Sequence, residues 1–170
     1  MNEEEWFDVV DEHDCVIDRR KRSEVHREGL RHRAVHILVF RSDGLLLIHL
    51  RSDTKDEFPG VWTSSAAGHV SAGETYADTA PRELQEELGI QCPLQYLHKF
   101  DACPETSMEF TELYRGTWDG DLSPDPGEIQ RVEWIRLQEL NHRVADRPAD
   151  FSPAFRLQFD WYLSQYGSGI

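Results

Sequence analysis

Three glutamates fall within one short segment, R-E-L-Q-E-E-L-G, at Glu83, Glu86 and Glu87. If the segment is helical, spacings of three and four residues put all three side chains on one face. Exposed like charges at these spacings cost roughly a few tenths of a kcal/mol per pair, so a solvated acidic face is one interpretation. Carboxylate oxygens are also ligands that Mg²⁺ prefers, so a cation site is the other. The helix alone does not decide between them.

The residues before the glutamates complete a longer pattern, G-H-V-S-A-G-E-T-Y-A-D-T-A-P-R-E-L-Q-E-E-L-G-I, over residues 68–90. It consists of Gly68, five residues, Glu74, seven residues, and then Arg-Glu-Leu-x-Glu-Glu-x-Gly-Ile from Arg82. This pattern resembles the Nudix box, with every defining position filled. The resemblance implies an α/β (α+β) Nudix fold, in which a mixed β-sheet is sandwiched between helices.

The resemblance also implies an activity and a set of site residues. Nudix hydrolases cleave a diphosphate linkage in nucleoside-diphosphate-X or related compounds, using water that Mg²⁺ or Mn²⁺ activates. The metal ligands of the box match Glu83, Glu86 and Glu87, and the backbone carbonyl of Gly68 often joins them. Glu74 and Arg82 match a pair that braces the loop against the helix.

The chemistry of diphosphate hydrolysis fits such a carboxylate cluster. Water must attack phosphorus beside several negative oxygens, and divalent metals neutralise these oxygens, orient the water and lower its pKa. The general base stays open between Glu83 and Glu86, with Glu112 as a candidate outside the box and as a further metal ligand. Gly89 is suited to end the helix in a left-handed conformation.

Other segments resemble the isopentenyl-diphosphate isomerase branch of the Nudix superfamily. They are H-R-A-V-H-I-L-V-F-R-S-D-G-L-L-L (32–47), G-V-W-T-S-S-A-A-G-H (60–69) and F-S-P (151–153). Isomerases of that branch hold a metal with three histidines and two glutamates. The matching histidines, His26, His32 and His69, are a candidate second metal site, although purely structural roles are the alternative. Glu112 is the better-aligned acidic partner, since the spacing of Glu109 is off by one.

Two positions depart from the isomerase pattern. The cysteine that moves a proton on carbon is replaced by Ala67, and the tryptophan after F-S-P is replaced by Ala154. A methyl group cannot move a proton, whereas the glutamate set of the box is complete. We therefore expect an isomerase-like hydrolase. A nucleotide-binding module without catalysis and the isomerase itself are the alternative hypotheses.

The composition limits the partners. The chain has 170 residues, 39% of them hydrophobic, and a net charge of −14. One domain over residues 1–170 is expected, with a core at about 30–167 and an N-terminal strand and loop at 5–29. An acidic surface repels nucleic acid, so we expect a small-molecule diphosphate substrate instead.

The three separated cysteines, the absence of a long apolar run and the acidic start predict a cytoplasmic protein without a membrane segment. The oligomeric state cannot be derived from the sequence.

The site residues must be positioned by alternating strands and helices. Strands are predicted at 6–10, 32–40, 45–50, 94–100, 110–118 and 129–135, with a short strand before residue 68. Helices are predicted at 75–89, 137–142 and 153–166. Because proline is tolerated only in the first turn, Pro81 predicts that the regular helix begins late, with Asp78 or Thr79 as its cap. The polar segment 18–27 is predicted as a connection, and its basic run Arg19–Arg22 is either solvated or placed to meet an anionic substrate.

Overall fold

The computed structural model describes residues 4–168. Its strands are β1 (Trp6–Val10), β2 (Val16–Lys21), β3 (His32–Phe40), β4 (Leu46–Arg51), β5 (Trp62–Thr63), β6 (Ala66–His69), β7 (Gln95–Phe100), β8 (Glu109–Thr117) and β9 (Ile129–Ile135). Its α-helices are α1 (Arg22–Glu28), α2 (Tyr76–Leu88), α3 (Leu137–Asp146) and α4 (Pro153–Tyr166). Two 3₁₀ turns lie between β7 and β8 (Pro104–Thr106) and between α3 and α4 (Pro148–Asp150).

The main sheet is mixed and has seven strands. Its order is β5-β4-β3-β8-β7, while β6 pairs with β3 and β9 pairs with β4. Strands β3 and β8 run parallel, whereas β3 and β4 form an antiparallel hairpin. The ends of β6, β3 and β8 therefore lie side by side, with His69 near Ala34 and His32 opposite Glu109.

Helices cover both faces of this sheet. On one face, Leu38 and Phe40 of β3 belong to a buried cluster with Phe155 and Phe159 of α4. On the other face, the alternate residues of β3 join a cluster with Ala80, Leu84 and Leu88 of α2. The predicted α/β (α+β) class, with a sheet sandwiched between helices, is confirmed. None of the helices within residues 4–168 has the length and apolar character that crossing a membrane requires.

Helix α2 begins earlier than the sequence predicts. Thr75 is its N-cap, and the Thr75 side chain accepts a hydrogen bond from the backbone of Asp78. Pro81 therefore lies inside the helix, where it leaves the carbonyl of Ala77 without its helical partner. Both residues are on the exposed face, so water can satisfy that carbonyl. The end of the helix is as predicted, because Gly89 adopts a left-handed φ of 68°.

The segment predicted as a connection, 18–27, is instead mostly strand β2 and helix α1. Strand β2 pairs with β1 in a two-stranded sheet, and its side chains are almost all exposed, so no apolar alternation marks it. Helix α1 has only seven residues and one buried side chain, Val25. Both elements are stabilised mainly by tertiary contacts, which local sequence patterns do not report.

Asp14 fastens the N-terminal hairpin to the main fold, and its side chain is only 7% exposed. Its carboxylate accepts hydrogen bonds from Arg33 at 2.6 Å, from the hydroxyl of Tyr76 at 2.8 Å, and from Lys99. Burial raises the pKa of this carboxyl, but the hydrogen bonds from Lys99, Arg33 and Tyr76 outweigh burial and hold the pKa below 3.8.

We expect Asp14→Asn to lower the free energy of unfolding by roughly 2–4 kcal/mol at pH 7, because its charged partners lose their counter-charge. Asparagine tolerates the left-handed φ of 60° found at Asp14, so the change isolates the charge. A carboxyl group whose pKa is lower in the folded than in the unfolded state stabilises the folded protein at pH values above the unfolded-state pKa. This stabilisation is lost as the pH falls through the folded-state pKa. Urea unfolding should therefore show a gap to wild type that narrows below pH 3.8. Exposed Glu12→Gln is the control, and a gap constant down to pH about 2 would contradict the assignment.

Candidate functional site

The three glutamates of α2 form a graded face that meets β6. Glu87 is buried at 6% exposure, Glu83 is partly buried and Glu86 is exposed. A side-chain oxygen of Glu87 accepts a hydrogen bond from the backbone N–H of Ala67 at 3.3 Å. The face runs from solvent into the protein, which is not the geometry of a simple solvated acidic surface.

Gly68 lies directly against Glu83. A methyl group at Gly68 would lie 2.1 Å from the carboxyl carbon of Glu83, far closer than non-bonded atoms approach. Only glycine lets the backbone and this carboxylate come together. The structure thus brings Gly68 to the glutamates, while metal binding by its carbonyl stays a prediction.

Arg82 joins the loop before α2 to the glutamate face. Its Nε and Nη2 atoms donate to the two carboxylate oxygens of Glu74 at 3.0 and 2.9 Å. Its Nη1 atom donates to Glu83 at 3.0 Å and to Glu86 at 3.1 Å. The structure therefore places Glu74 and Arg82 in the bracing geometry that the sequence predicts.

The charges on this face are not balanced by the protein. Burial, together with the charge of Glu86, raises the pKa of Glu83 to about 7 even though the adjacent Arg82 lowers it. Burial, together with the charge of Glu83, also raises the pKa of Glu87 well above its ordinary value. A divalent cation would supply the missing positive charge, and the oxygen-only donor set suits Mg²⁺ or Mn²⁺.

A second cluster contains three histidines and one glutamate. Helix α1 supplies His26, and the neighbouring ends of β3, β6 and β8 supply His32, His69 and Glu109. One potential ligand atom from each of the four lies within 4.8 Å of the others. Three elements of the main sheet and the N-terminal helix thus converge on one point.

The hydrogen bonds of this cluster leave ring nitrogens available. His69 Nε2 lies 2.9 Å from a carboxylate oxygen of Glu109, and His32 Nε2 lies 3.4 Å from the same oxygen. His32 Nδ1 donates to the carbonyl of Leu30 at 2.9 Å, which fixes its tautomer. The Nε2 atoms of His26 and His32 are buried and have no well-directed hydrogen-bond partner. Buried polar atoms without partners are costly, so a bound cation fits this arrangement.

The protonation states also suit a cation. Burial and the neighbouring His69 and His32 lower the pKa of His26 to about 4, so its ring is neutral. Burial raises the pKa of Glu109, but the neighbouring His32 and His69 outweigh burial and lower the pKa well below its ordinary value. A neutral imidazole and a charged carboxylate are the forms that bind metals.

Glu109, not Glu112, is the carboxylate that meets the histidines. Side chains alternate between sheet faces, so Glu109 and Thr111 share one face of β8 while Glu112 lies on the other. The Glu112 carboxylate accepts a hydrogen bond from the hydroxyl of Tyr114 at 2.5 Å. The structure therefore brings Glu109, rather than the preferred Glu112, to the histidines, while metal binding by Glu112 stays a prediction. Among residues 4–168, Glu109 is the glutamate whose carboxylate converges with all three histidines.

A cleft of about 230 Å³ connects the two clusters. The α2 glutamates, His69 and Glu109 all line it. Besides Arg82, three cationic side chains line it as well: Arg22, Arg51 and Lys55. They place positively charged groups among the acidic residues of the cleft.

One residue of the basic run Arg19–Arg22, which the sequence leaves either solvated or placed to meet a substrate, lines this cleft. Arg19 is paired with Asp8 and Arg20 with Asp18 on the hairpin. Arg22, at the start of α1, lines the cleft and donates to Asp56 at 3.0 Å. The rest of the run therefore serves the hairpin surface.

Several cleft residues were not found from the sequence. Arg51, Lys55 and Glu57 lie in or beside the loop between β4 and β5, and Glu128 lies just before β9. Lys55 donates to Glu128 at 2.5 Å across the cleft. These charges carry no local motif, and only the pairing of β4 with β9 brings them together.

The cleft wall also includes the two positions that depart from the isomerase pattern, Ala67 and Ala154. Near them lie polar side chains: Thr63 and Ser152 are hydrogen bonded at 3.0 Å, and His36 is hydrogen bonded to Ser64 at 2.8 Å. No cysteine lines the cleft within residues 4–168.

Comparisons with known proteins agree with this geometry. The family model described as the NUDIX domain matches residues 30–155. An isopentenyl-diphosphate Δ-isomerase from Serratia proteamaculans is 34% identical, with 89% of this chain and 88% of that protein covered. An uncharacterised Nudix hydrolase from Yersinia pestis is also 34% identical, with 90% and 85% covered. The chain is thus similar to proteins named for two different reactions.

A solved structure shares the fold. The crystal structure of a Deinococcus radiodurans protein superposes with a TM-score of 0.75 at 30% identity, covering 84% of this chain and 90% of that one. The family match includes the whole box from Gly68 to Ile90 and the strands around it. The complete box, the fold and these comparisons together show that the chain belongs to the NUDIX domain family.

Proposed function

We propose that this protein is a metal-dependent hydrolase that cleaves a diphosphate linkage in a nucleoside-diphosphate-X or related small molecule. The observation that carries the proposal is the graded carboxylate face of Glu83, Glu86 and Glu87, which is short of positive charge and lines the cleft. Mg²⁺ or Mn²⁺ would bind there. When bound, such an ion neutralises phosphate oxygens, orients water and lowers its pKa.

The protein's own residues bind and orient the substrate in this proposal. Arg51 and Lys55 face the cleft and would attract phosphate oxygens, and Arg22 would add a third positive charge. Lys55 is paired with Glu128 and Arg22 with Asp56. The metal would therefore supply the further positive charge that an anionic substrate needs in a chain with a net charge of −14.

The general base is proposed among the carboxylates that line the cleft. Glu83 and Glu86 belong to the box, and Glu128 lies on the facing loop beside Lys55. Glu112 does not line the cleft, so the carboxylates that do are preferred to it as the base. A base must come within hydrogen-bond reach of the attacking water, and these carboxylates line the cleft in which the substrate would bind.

The histidine cluster is proposed as a second divalent-metal site. Its support is the pair of buried, unpartnered Nε2 atoms of His26 and His32 beside the charged Glu109. Nitrogen ligands favour transition metals over Mg²⁺, so the two clusters would select different ions.

The test is phosphate release from purified protein, with and without Mg²⁺ or Mn²⁺. The panel should contain nucleoside diphosphates and triphosphates, nucleotide sugars, coenzymes and prenyl diphosphates. We expect metal-dependent release from one class and none in excess chelator. Tight binding of a panel compound with no product would favour a binding module over a hydrolase.

Isomerisation of isopentenyl diphosphate is the second candidate, because relatives carry that name and the histidine cluster resembles the isomerase set. Ala67 argues against it, since a methyl group at the cleft wall cannot transfer a proton. Incubation of isopentenyl diphosphate in deuterium oxide separates the two reactions. Deuterium incorporation into carbon at an enzymatic rate would support isomerisation, and we expect none.

A further inference from the structure

The loop between β4 and β5, residues 52–61, brings a carboxylate to the histidine cluster. A carboxylate oxygen of Glu57 lies 3.9 Å from Nδ1 of His26. The Glu57 side chain is 31% exposed and that of His26 is 15% exposed, so the pair is largely shielded from water. Glu57 does not belong to the Nudix box or to the isomerase-like segments.

The backbone of this loop is held firmly in place. Arg51 donates from Nη2 to the carbonyl of Glu57 at 2.9 Å and from Nε to the carbonyl of Phe58 at 3.1 Å. Phe58 has a φ of 45°, which a bulky residue adopts only when its surroundings impose it. On the other side, Arg22 of α1 donates to both carboxylate oxygens of Asp56, at 3.0 and 3.2 Å. The loop and α1 are therefore fixed relative to each other beside His26.

The two ring nitrogens of His26 are in different environments. Nδ1 faces Glu57, whereas Nε2 is buried without a partner and its ring centroid lies 5.2 Å from that of His32 and 5.1 Å from that of His69. A neutral imidazole has one N–H and one lone pair. If Nδ1–H points to the carboxylate, the Nε2 lone pair points into the cluster.

We propose that Glu57 is a positioning residue for His26: it accepts the Nδ1–H and directs Nε2 toward a cation shared with His32, His69 and Glu109. This rests on the proposed metal role of the cluster, and not on the hydrolysis itself. If the Glu57 carboxylate oxygen and His26 Nδ1 came closer by about 1 Å, they would form a normal hydrogen bond. Carboxylate partners of this kind fix the tautomer of metal-binding histidines and raise ligand basicity. Glu57 and Glu109 together also balance the charge of a divalent ion.

The loop that carries Glu57 links the proposed cation site to Lys55, which would attract phosphate oxygens in the cleft. Glu57 lies two residues after Lys55 on the same loop, and Arg51 holds that loop through the carbonyl of Glu57. Occupancy of the histidine cluster would therefore fix the loop that carries Lys55.

Titration of the metal-free protein with Co²⁺, followed by its visible absorption, tests the proposal. Nitrogen ligands give Co²⁺ a distinctive absorption, so the signal reports the histidine cluster rather than the carboxylate face. We expect Glu57→Gln and Glu57→Ala to weaken Co²⁺ binding by about 10–100-fold. Asp53→Asn is the matched control, because Asp53 lies on the same loop and bonds Gln130 at 2.8 Å, away from the histidines. We expect it to stay within about twofold of wild type, below the effect of a histidine's carboxylate partner.

Two results would overturn the proposal. One is unchanged Co²⁺ affinity in both Glu57 variants. The other is a Co²⁺ spectrum in wild type that His26→Ala does not alter. Thermal unfolding of the metal-free variants excludes a merely structural effect, and we expect Glu57→Gln to match wild type there. Phosphate release is read separately: its absence beside weakened Co²⁺ binding would count against the hydrolase and leave the role of Glu57 supported.

Discussion

Glu86→Gln and Glu87→Gln should each reduce metal-dependent turnover by about 10³-fold or more. A catalytic metal contributes several kcal/mol of charge stabilisation in the transition state, and each 1.36 kcal/mol corresponds to about tenfold in rate. Removing one anionic ligand from the face that would hold the metal removes much of that contribution. Initial rates of phosphate release at saturating Mg²⁺ measure the effect.

The same variants should remain folded, which separates a site effect from a loss of structure. Glu87 is buried and its burial already disfavours the charged form, so an amide of the same shape does not add a cost. We expect the metal-free Glu87→Gln protein to unfold at the same temperature as wild type or higher. Glu139→Gln, an exposed change on α3, is the control for both measurements. Full turnover in the Glu86 and Glu87 variants would refute the assignment of the site.

Gly68→Ala should reduce turnover by about 100-fold while changing stability by only about 1 kcal/mol. The new methyl group would clash with the carboxyl group of Glu83, which is the far end of a flexible side chain and can move away. The fold thus survives, but Glu83 leaves the geometry that the site requires, and small misplacements cost large factors in rate. Paired rate and urea-unfolding measurements distinguish this result from general destabilisation.

A double-mutant cycle tests the cause of the Gly68 effect. If the methyl group acts by displacing Glu83, adding Gly68→Ala to a Glu83→Gln protein should cost little further activity. If the double variant instead loses activity by the product of the two single-variant factors, Gly68 acts independently of Glu83, for example through its carbonyl alone.

The box could be predicted from the sequence because its chemistry is local. The spacing within R-E-x-x-E-E places Glu83, Glu86 and Glu87 on one helical face, and the structure keeps them there. The main strands were also predicted correctly, since the nearly continuous apolar runs of β3 and β4 are typical of strands buried on both faces. The early start of α2 was missed because the Thr75 cap and packing against the sheet overcome the penalty of Pro81.

The rest of the site depends on contacts that local patterns do not encode. Choosing between Glu109 and Glu112 required the register of β8 against β3, because a shift of one residue moves a side chain to the other face. The cluster residue His26 lies on a seven-residue helix whose position depends on the N-terminal hairpin. Lys55, Glu57 and Glu128 come from loops and meet only after β4 and β9 have paired.

The most direct test of the central claim is turnover in ¹⁸O-labelled water with Mg²⁺ or Mn²⁺, followed by mass spectrometry of the phosphate products. Water attack on phosphorus requires one solvent oxygen in a phosphate product of the diphosphate. We predict metal-dependent ¹⁸O incorporation from one class of the panel, and its loss in Glu87→Gln. Products free of ¹⁸O, or isopentenyl diphosphate converted without phosphate release, would contradict a metal-dependent diphosphate hydrolase.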